Sequence, residues 1–166
     1  YDSRVVGCLA LTKEGLCAFE YSAEWLNTGF SISPFELPLR SGVFVAKPRP
    51  FEGGFGAFDD CLPDGWGLLI LDRYLQQKGI NPRTLSLLDR LALVGSTGRG
   101  ALEFRPDKSV VSKQEYADFE KLALNAEQIL DSEDYTGEGI EEFQYRGGSP
   151  GGARPKIFTR FEDKEW

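Results

Sequence analysis

Residues 146–156 read Arg-Gly-Gly-Ser-Pro-Gly-Gly-Ala-Arg-Pro-Lys, with Gly147, Gly148, Gly151 and Gly152 flanking Ser149. Glycine has no Cβ to keep a ligand off the backbone, so consecutive peptide N–H groups in such a loop can close on phosphate oxygens. Lys156 falls at the start of an expected strand with Arg154 on the same face by period two, and either cation could reach back to that phosphate. Ile157 follows Lys156 where a Walker loop carries Ser or Thr, so that motif is not matched. The Gly-x-Gly-x-x-Gly spacing of protein kinases is not strictly matched either. A flexible connection or hairpin tip fits the same composition, and on these residues alone both readings stay open.

Other chemistries are limited by what the chain lacks. There is no histidine among 166 residues, so Ser-His-Asp and Cys-His nucleophile pairs cannot form and imidazole metal sites are excluded. Cys8, Cys17 and Cys61 are odd in number and show no CxxC spacing, so they read as reduced, small hydrophobes. Asp59, Asp60 and Asp64 do not alternate as the ligands of a calcium loop do; Asp64 is expected to cap a helix instead. No metal site is expected. A formal charge of −7, from 26 acidic and 19 basic residues, opposes direct binding to a phosphate backbone. With 41% hydrophobic and 27% charged residues the chain has the composition of a soluble globular protein, and no run approaches a membrane span. A cytoplasmic location is expected.

The elements that would carry the loop form an α+β pattern. Two apolar runs, 5–11 and 16–21, flank Thr12-Lys13-Glu14-Gly15 and predict a β-hairpin. Phe30/Ile32 and Val43/Val45 are spaced for short strands. From Asp64 the period lengthens, and Trp66, Leu69, Ile70, Tyr74 and Leu75 predict a helix that stops at Gly79. A second helix is expected from Pro82 or Thr84 to just before Gly95, and a strand over Ala101–Arg105. Ser112 with Glu115 has the capping-box form for a helix over 112–130, with Tyr116, Phe119, Leu122, Ala123, Ala126 and Ile129 on its buried face. Residues 131–142 read as an acidic surface connection, and Arg154–Phe161 as a strand. Asp72-Arg73 and Asp89-Arg90 read as solvated or structural ion pairs. The absence of methionine and a strand-like run closing on Trp166 lead to the expectation that the chain is part of a longer protein.

The stretches Phe58–Leu75, FDDCLPDGWGLLILDRYL, and Leu85–Phe104, LSLLDRLALVGSTGRGALEF, resemble the N-terminal subdomain of HipA-like toxins, the serine/threonine kinases of bacterial toxin–antitoxin modules. Their shared features are a Leu-Pro-Asp-Gly helix start, a helix ending in Val-Gly and a Gly-Ala-Leu strand, in this order. The family's Ser-x-x-Gly-x-x-x-Lys segment is matched by Ser149, Gly152 and Lys156. The resemblance implies a regulatory subdomain over residues 1–106. Residues 107–166 would then begin a kinase-like N-lobe related to lipid kinases, with helix 112–130 and a Gly-rich loop at 147–156.

By the same resemblance, Gly147, Gly148, Gly151, Gly152, Ala153, Arg154 and Lys156 would bind nucleotide, with ATP and Mg2+ as cofactors. Ser149 would be an autophosphorylation site whose phosphate expels the loop. The catalytic Asp and the metal ligands that phosphoryl transfer needs are expected past Trp166, so no catalytic residue is assigned here. The implied partners are a protein substrate of the aminoacyl-tRNA synthetase class and a helix-turn-helix antitoxin, with DNA reached only through the antitoxin. Split systems of this family suggest an alternative, a non-catalytic module that restrains a partner kinase, for which residues 1–105 alone would serve.

Overall fold

The computed structural model describes residues 3–98, 100–110, 118–132, 139–147 and 152–157. They form a mixed α and β structure with one three-stranded antiparallel sheet. Packing divides the chain into two compact units, residues 1–62 with 85–107, and residues 63–84 with 108–166. The segment 63–84 is therefore grouped with residues that follow 107, an arrangement that a single cut in the sequence does not describe.

The first unit is built on the hairpin expected at the start of the chain. Strands β1 (Gly7–Leu11) and β2 (Cys17–Tyr21) pair with Gly7 opposite Tyr21 and Leu11 opposite Cys17. Gly15 takes φ +79° in the turn, a backbone region closed to most side chains. Because side chains alternate along a strand, Cys17, Phe19 and Tyr21 of β2 all enter the core. β3 (Phe44–Val45) pairs along the other edge of β2. Phe30 and Ile32 are outside the strands and serve by their backbones: the Phe30 carbonyl accepts from Trp25 Nε1 at 2.9 Å, and Ile32 N–H donates to the Tyr21 hydroxyl at 3.0 Å. That hydroxyl in turn donates to the Leu37 carbonyl at 2.5 Å, so one buried phenol ties β2 to two points of the following loop.

Helix α1 (Ala23–Thr28) starts at Ser22, whose hydroxyl accepts from Trp25 N–H, and seats Trp25 in the core. The short α2 (Gly56–Asp59) adds Phe58, in edge contact with Phe55 and Phe104. The strand expected over Ala101–Arg105 does not form. Phe104 N–H donates instead to the Gly95 carbonyl at 3.1 Å. Leu102 and Phe104 pack on the core as side-chain anchors. The Asp107 carboxylate closes this crossing by accepting from Ser96 N–H at 3.1 Å and Ser96 Oγ at 2.6 Å.

The second unit contains α3 (Gly65–Gln77), followed by a 3-10 turn at Pro82–Thr84, and further along the chain α5 (Phe119–Asp131) and α6 (Ile140–Gly147). Between them in sequence, α4 (Leu87–Val94) belongs to the first unit. Trp66 and Ile70 of α3 share a core with Leu122, Ala126 and Ile129 of α5 and with Ile140 and Phe143 of α6.

Helix α5 begins later than expected. Asp118 is extended, with φ −87° and ψ 99°, and its carboxylate caps the helix by accepting from Lys121 N–H. Most of the proposed start, including Ser112, Glu115 and Tyr116, lies outside the described residues. Leu122, Ala126 and Ile129 are buried as expected, whereas Phe119 and Ala123 are exposed. The expected acidic connection 131–142 gives way at Ile140 to α6. Ile140 and Phe143, two apolar residues in an acidic stretch, are enough to seat this helix against α3.

Candidate functional site

The Gly-rich segment follows directly on helix α6. Gly147 is the last residue of α6. Just ahead of it, Arg146 Nε donates to Glu142 Oε1 at 2.9 Å, one helical turn back, in a pair whose side chains are largely shielded from solvent. Gly148, Ser149, Pro150 and Gly151 lie outside the described residues. The chain is described again at Gly152, which has φ +84°. Residues 155–157 are not strand, so the period-two argument that put Arg154 and Lys156 on one face does not apply. Arg154 is exposed and Lys156 half-buried.

Two contacts locate the return of this segment. A Cβ on Gly152 would stand 3.1 Å from Lys156 Nζ, so the Lys156 side chain folds back over bare backbone. On the other side, the Gly152 carbonyl accepts a hydrogen bond from Trp66 N–H at 2.9 Å. The first amides of a helix have no partner within it. Asp64 stands at the N-cap position of α3 as expected, but its side chain makes no capping bond, and Gly152 supplies an acceptor there.

The helix start is shaped for this approach. Gly65 has φ +44°, and a Cβ there would stand 2.5 Å from Gly152 C and 2.9 Å from Ala153 N, closer still to the Gly152 carbonyl oxygen. These are backbone atoms that cannot swing aside. The sequence pattern places Trp66 on the apolar face of this helix and gives Gly65 no role beyond the helix start. A signal was present: two glycines, Gly65 and Gly67, open the helix, and residues of such low helix propensity ask for a reason in close packing.

Chemically, the described part of the segment offers a glycine backbone with an ammonium folded against it, an arrangement suited to an anion. Among the described residues no three His, Cys, Asp or Glu side chains are placed to hold a metal ion. Asp59, from the acidic cluster, has a raised pKa, from burial first and then from Glu52 and Asp60 nearby. Asp89 is not simply an ion-pair partner of Arg90. It closes a capping box with Ser86 at the start of α4. Arg73 is buried on α3, and among the described residues no hydrogen-bond partner reaches its Nη1. No helix among the described residues is long and apolar enough to cross a membrane.

Comparison with known proteins adds one finding. The family model described as HipA N-terminal domain matches residues 1–105. No curated protein matches the chain.

Proposed function

The chain belongs to the HipA N-terminal domain family, and from that premise we propose that it is the N-terminal part of a HipA-like toxin kinase, whose Gly-rich loop 147–156 receives the phosphates of ATP. The family supports a HipA-like toxin context. The observation that carries the nucleotide reading is the Lys156 ammonium folded against Gly152, next to a backbone with no Cβ in the way. A phosphate at this point would meet both backbone amides and a fixed positive charge. Mg2+ would enter with the nucleotide and supply charge neutralisation there.

In this reading Ser149 Oγ is the acceptor in a self-limiting reaction. Its oxygen attacks the γ-phosphorus, the bond from that phosphorus to the β–γ bridging oxygen breaks, ADP leaves, and the hydroxyl proton passes to a base in the remaining kinase lobe. The product adds about −1.5 to −2 charges at pH 7 to a loop that binds an anion, so nucleotide is repelled and activity falls. A protein of the aminoacyl-tRNA synthetase class is the proposed substrate, a helix-turn-helix antitoxin the proposed restraint, and the cytoplasm the proposed location.

The alternative, a free-standing module of residues 1–105 that restrains a separate kinase, has less support from packing. Trp66 and Ile70 of α3 would lose the cover that α5 and α6 provide. Incubating the native protein with Mg·ATP and measuring its intact mass tests the kinase reading. One added phosphate in the wild type and none in Ser149→Ala is expected. No phosphate on the wild type would overturn the autophosphorylation step.

A further inference from the structure

We infer that Gly65 and Trp66 are positioning residues for the Gly-rich loop, with the first turn of α3 acting as the dock that holds it from both flanks. On the near flank, the Trp66 ring meets Phe143 of α6 edge-on at 5.5 Å between centroids, four residues before Gly147. On the far flank, Trp66 N–H holds the Gly152 carbonyl at 2.9 Å. One residue thus fixes the segment where it departs and where it returns. Ile157, packed against the same core, adds a third anchor.

The dock also orients a donor. In a trans peptide the N–H points opposite to the C=O, so turning the Gly152 carbonyl onto α3 directs the Ala153 N–H away from the helix, to the side from which a ligand can approach. Only glycine at position 65 lets the 152–153 peptide come this close, because any Cβ there would collide with its backbone atoms. The consequence for ATP rests on the nucleotide reading proposed above. The docking itself can be observed without a nucleotide.

Amide hydrogen exchange of the 166-residue chain, read by NMR, tests the dock. Trp66 N–H has no acceptor within α3, so its protection reports the bond to Gly152. Gly79→Ala is the matched control. Gly79 also has positive φ, +73°, in the same unit, but no atom stands within 4 Å of its Cβ position. In Gly65→Ala, Trp66 protection is expected to fall at least tenfold with that of Ile70 kept, and Kd for Mg·ATP of the native protein to rise at least fivefold; Gly79→Ala should change neither.

Equal Trp66 protection in the two variants, or a wild-type Trp66 amide exchanging at the rate of a free peptide, would overturn the dock. If the native wild type shows no affinity for Mg·ATP while Gly65→Ala alone releases Trp66, the nucleotide reading falls and the dock is supported. Should Gly65→Ala also strip Ile70 of protection, deleting residues 152–157 replaces it. Loss at Trp66 with Ile70 retained then supports the dock, and retention at both overturns it.

Discussion

Cys17 is fully buried in the core of the first unit, Cys61 is half-buried and Cys8 is exposed. Burial pushes the Cys17 thiol up to about 11, and Cys61 likewise to about 11, with Asp60 adding to the effect. The thiolate is the reactive form. At pH 8 these two sites are therefore expected to alkylate on the order of 100-fold more slowly than an ordinary thiol, two tenfold steps for two pH units. Iodoacetamide labelling followed by mass mapping should find Cys8 modified first. The same shift has a sign for stability. The unfolded thiols ionise near 9 while the folded ones stay protonated, so stability is intact below about pH 9 and declines from there to about pH 11. Urea midpoints across that range should fall less steeply in a Cys17→Ala/Cys61→Ala variant. Composition alone had marked the cysteines as reduced hydrophobes. Which of them is buried depends on the alternation of β2, which places Cys17 beneath the sheet with Phe19 and Tyr21.

At the scale of elements, helix α4 shows a rule that was followed with an unexpected residue. Ser86 Oγ accepts from Asp89 N–H at 3.2 Å, and Asp89 Oδ2 accepts from Ser86 N–H at 3.1 Å. The sequence pattern sought is Ser-x-x-Glu, and an aspartate in its place was read as half of an ion pair. Removing the cap with Ser86→Ala should cost about 1 kcal/mol, seen as a lower urea midpoint with an unchanged m-value. Elements with strong periodicity were legible: the hairpin, α3 and the buried stripe Leu122, Ala126 and Ile129 all followed from spacing. Those that failed depend on distant partners. Ala101–Arg105 has the composition of a strand, but Leu102 and Phe104 are used as core anchors and the Phe104 N–H goes to the Gly95 carbonyl instead of a sheet edge. α6 was hidden because its face against α3 needs only Ile140 and Phe143, too few to register as a period in an acidic stretch. In the candidate site, the glycines and Lys156 could be picked out by residue type. The contact of Gly65 with Gly152 joins positions far apart in sequence, and local pattern cannot contain it.

The two compact units set the scale of the whole molecule. Because 63–84 is grouped with residues after 107, a chain ended at residue 106 would keep the sheet and the Trp25 core but leave the Trp66 face of α3 uncovered. Residues 1–106 produced alone should therefore show one indole readily quenched by acrylamide, and Trp66→Phe in that fragment should remove the quenched signal. Quenching no greater than in a 166-residue chain carrying Trp166→Phe would show that α3 finds other cover, and would favour the free-standing module over the kinase reading.

The interleaving of the two units also has a consequence for the order of synthesis. Trp66 and Ile70 leave the ribosome before any residue of α5 or α6 has been made. At a translation rate of about 5–20 residues per second, the wait from Trp66 to Leu122, the first covering residue of α5, lasts roughly 3–11 s. Until α5 follows with Leu122, Ala126 and Ile129, the nascent chain carries an apolar helix face without the cover it has in the folded unit, a target for chaperones that hold emerging chains.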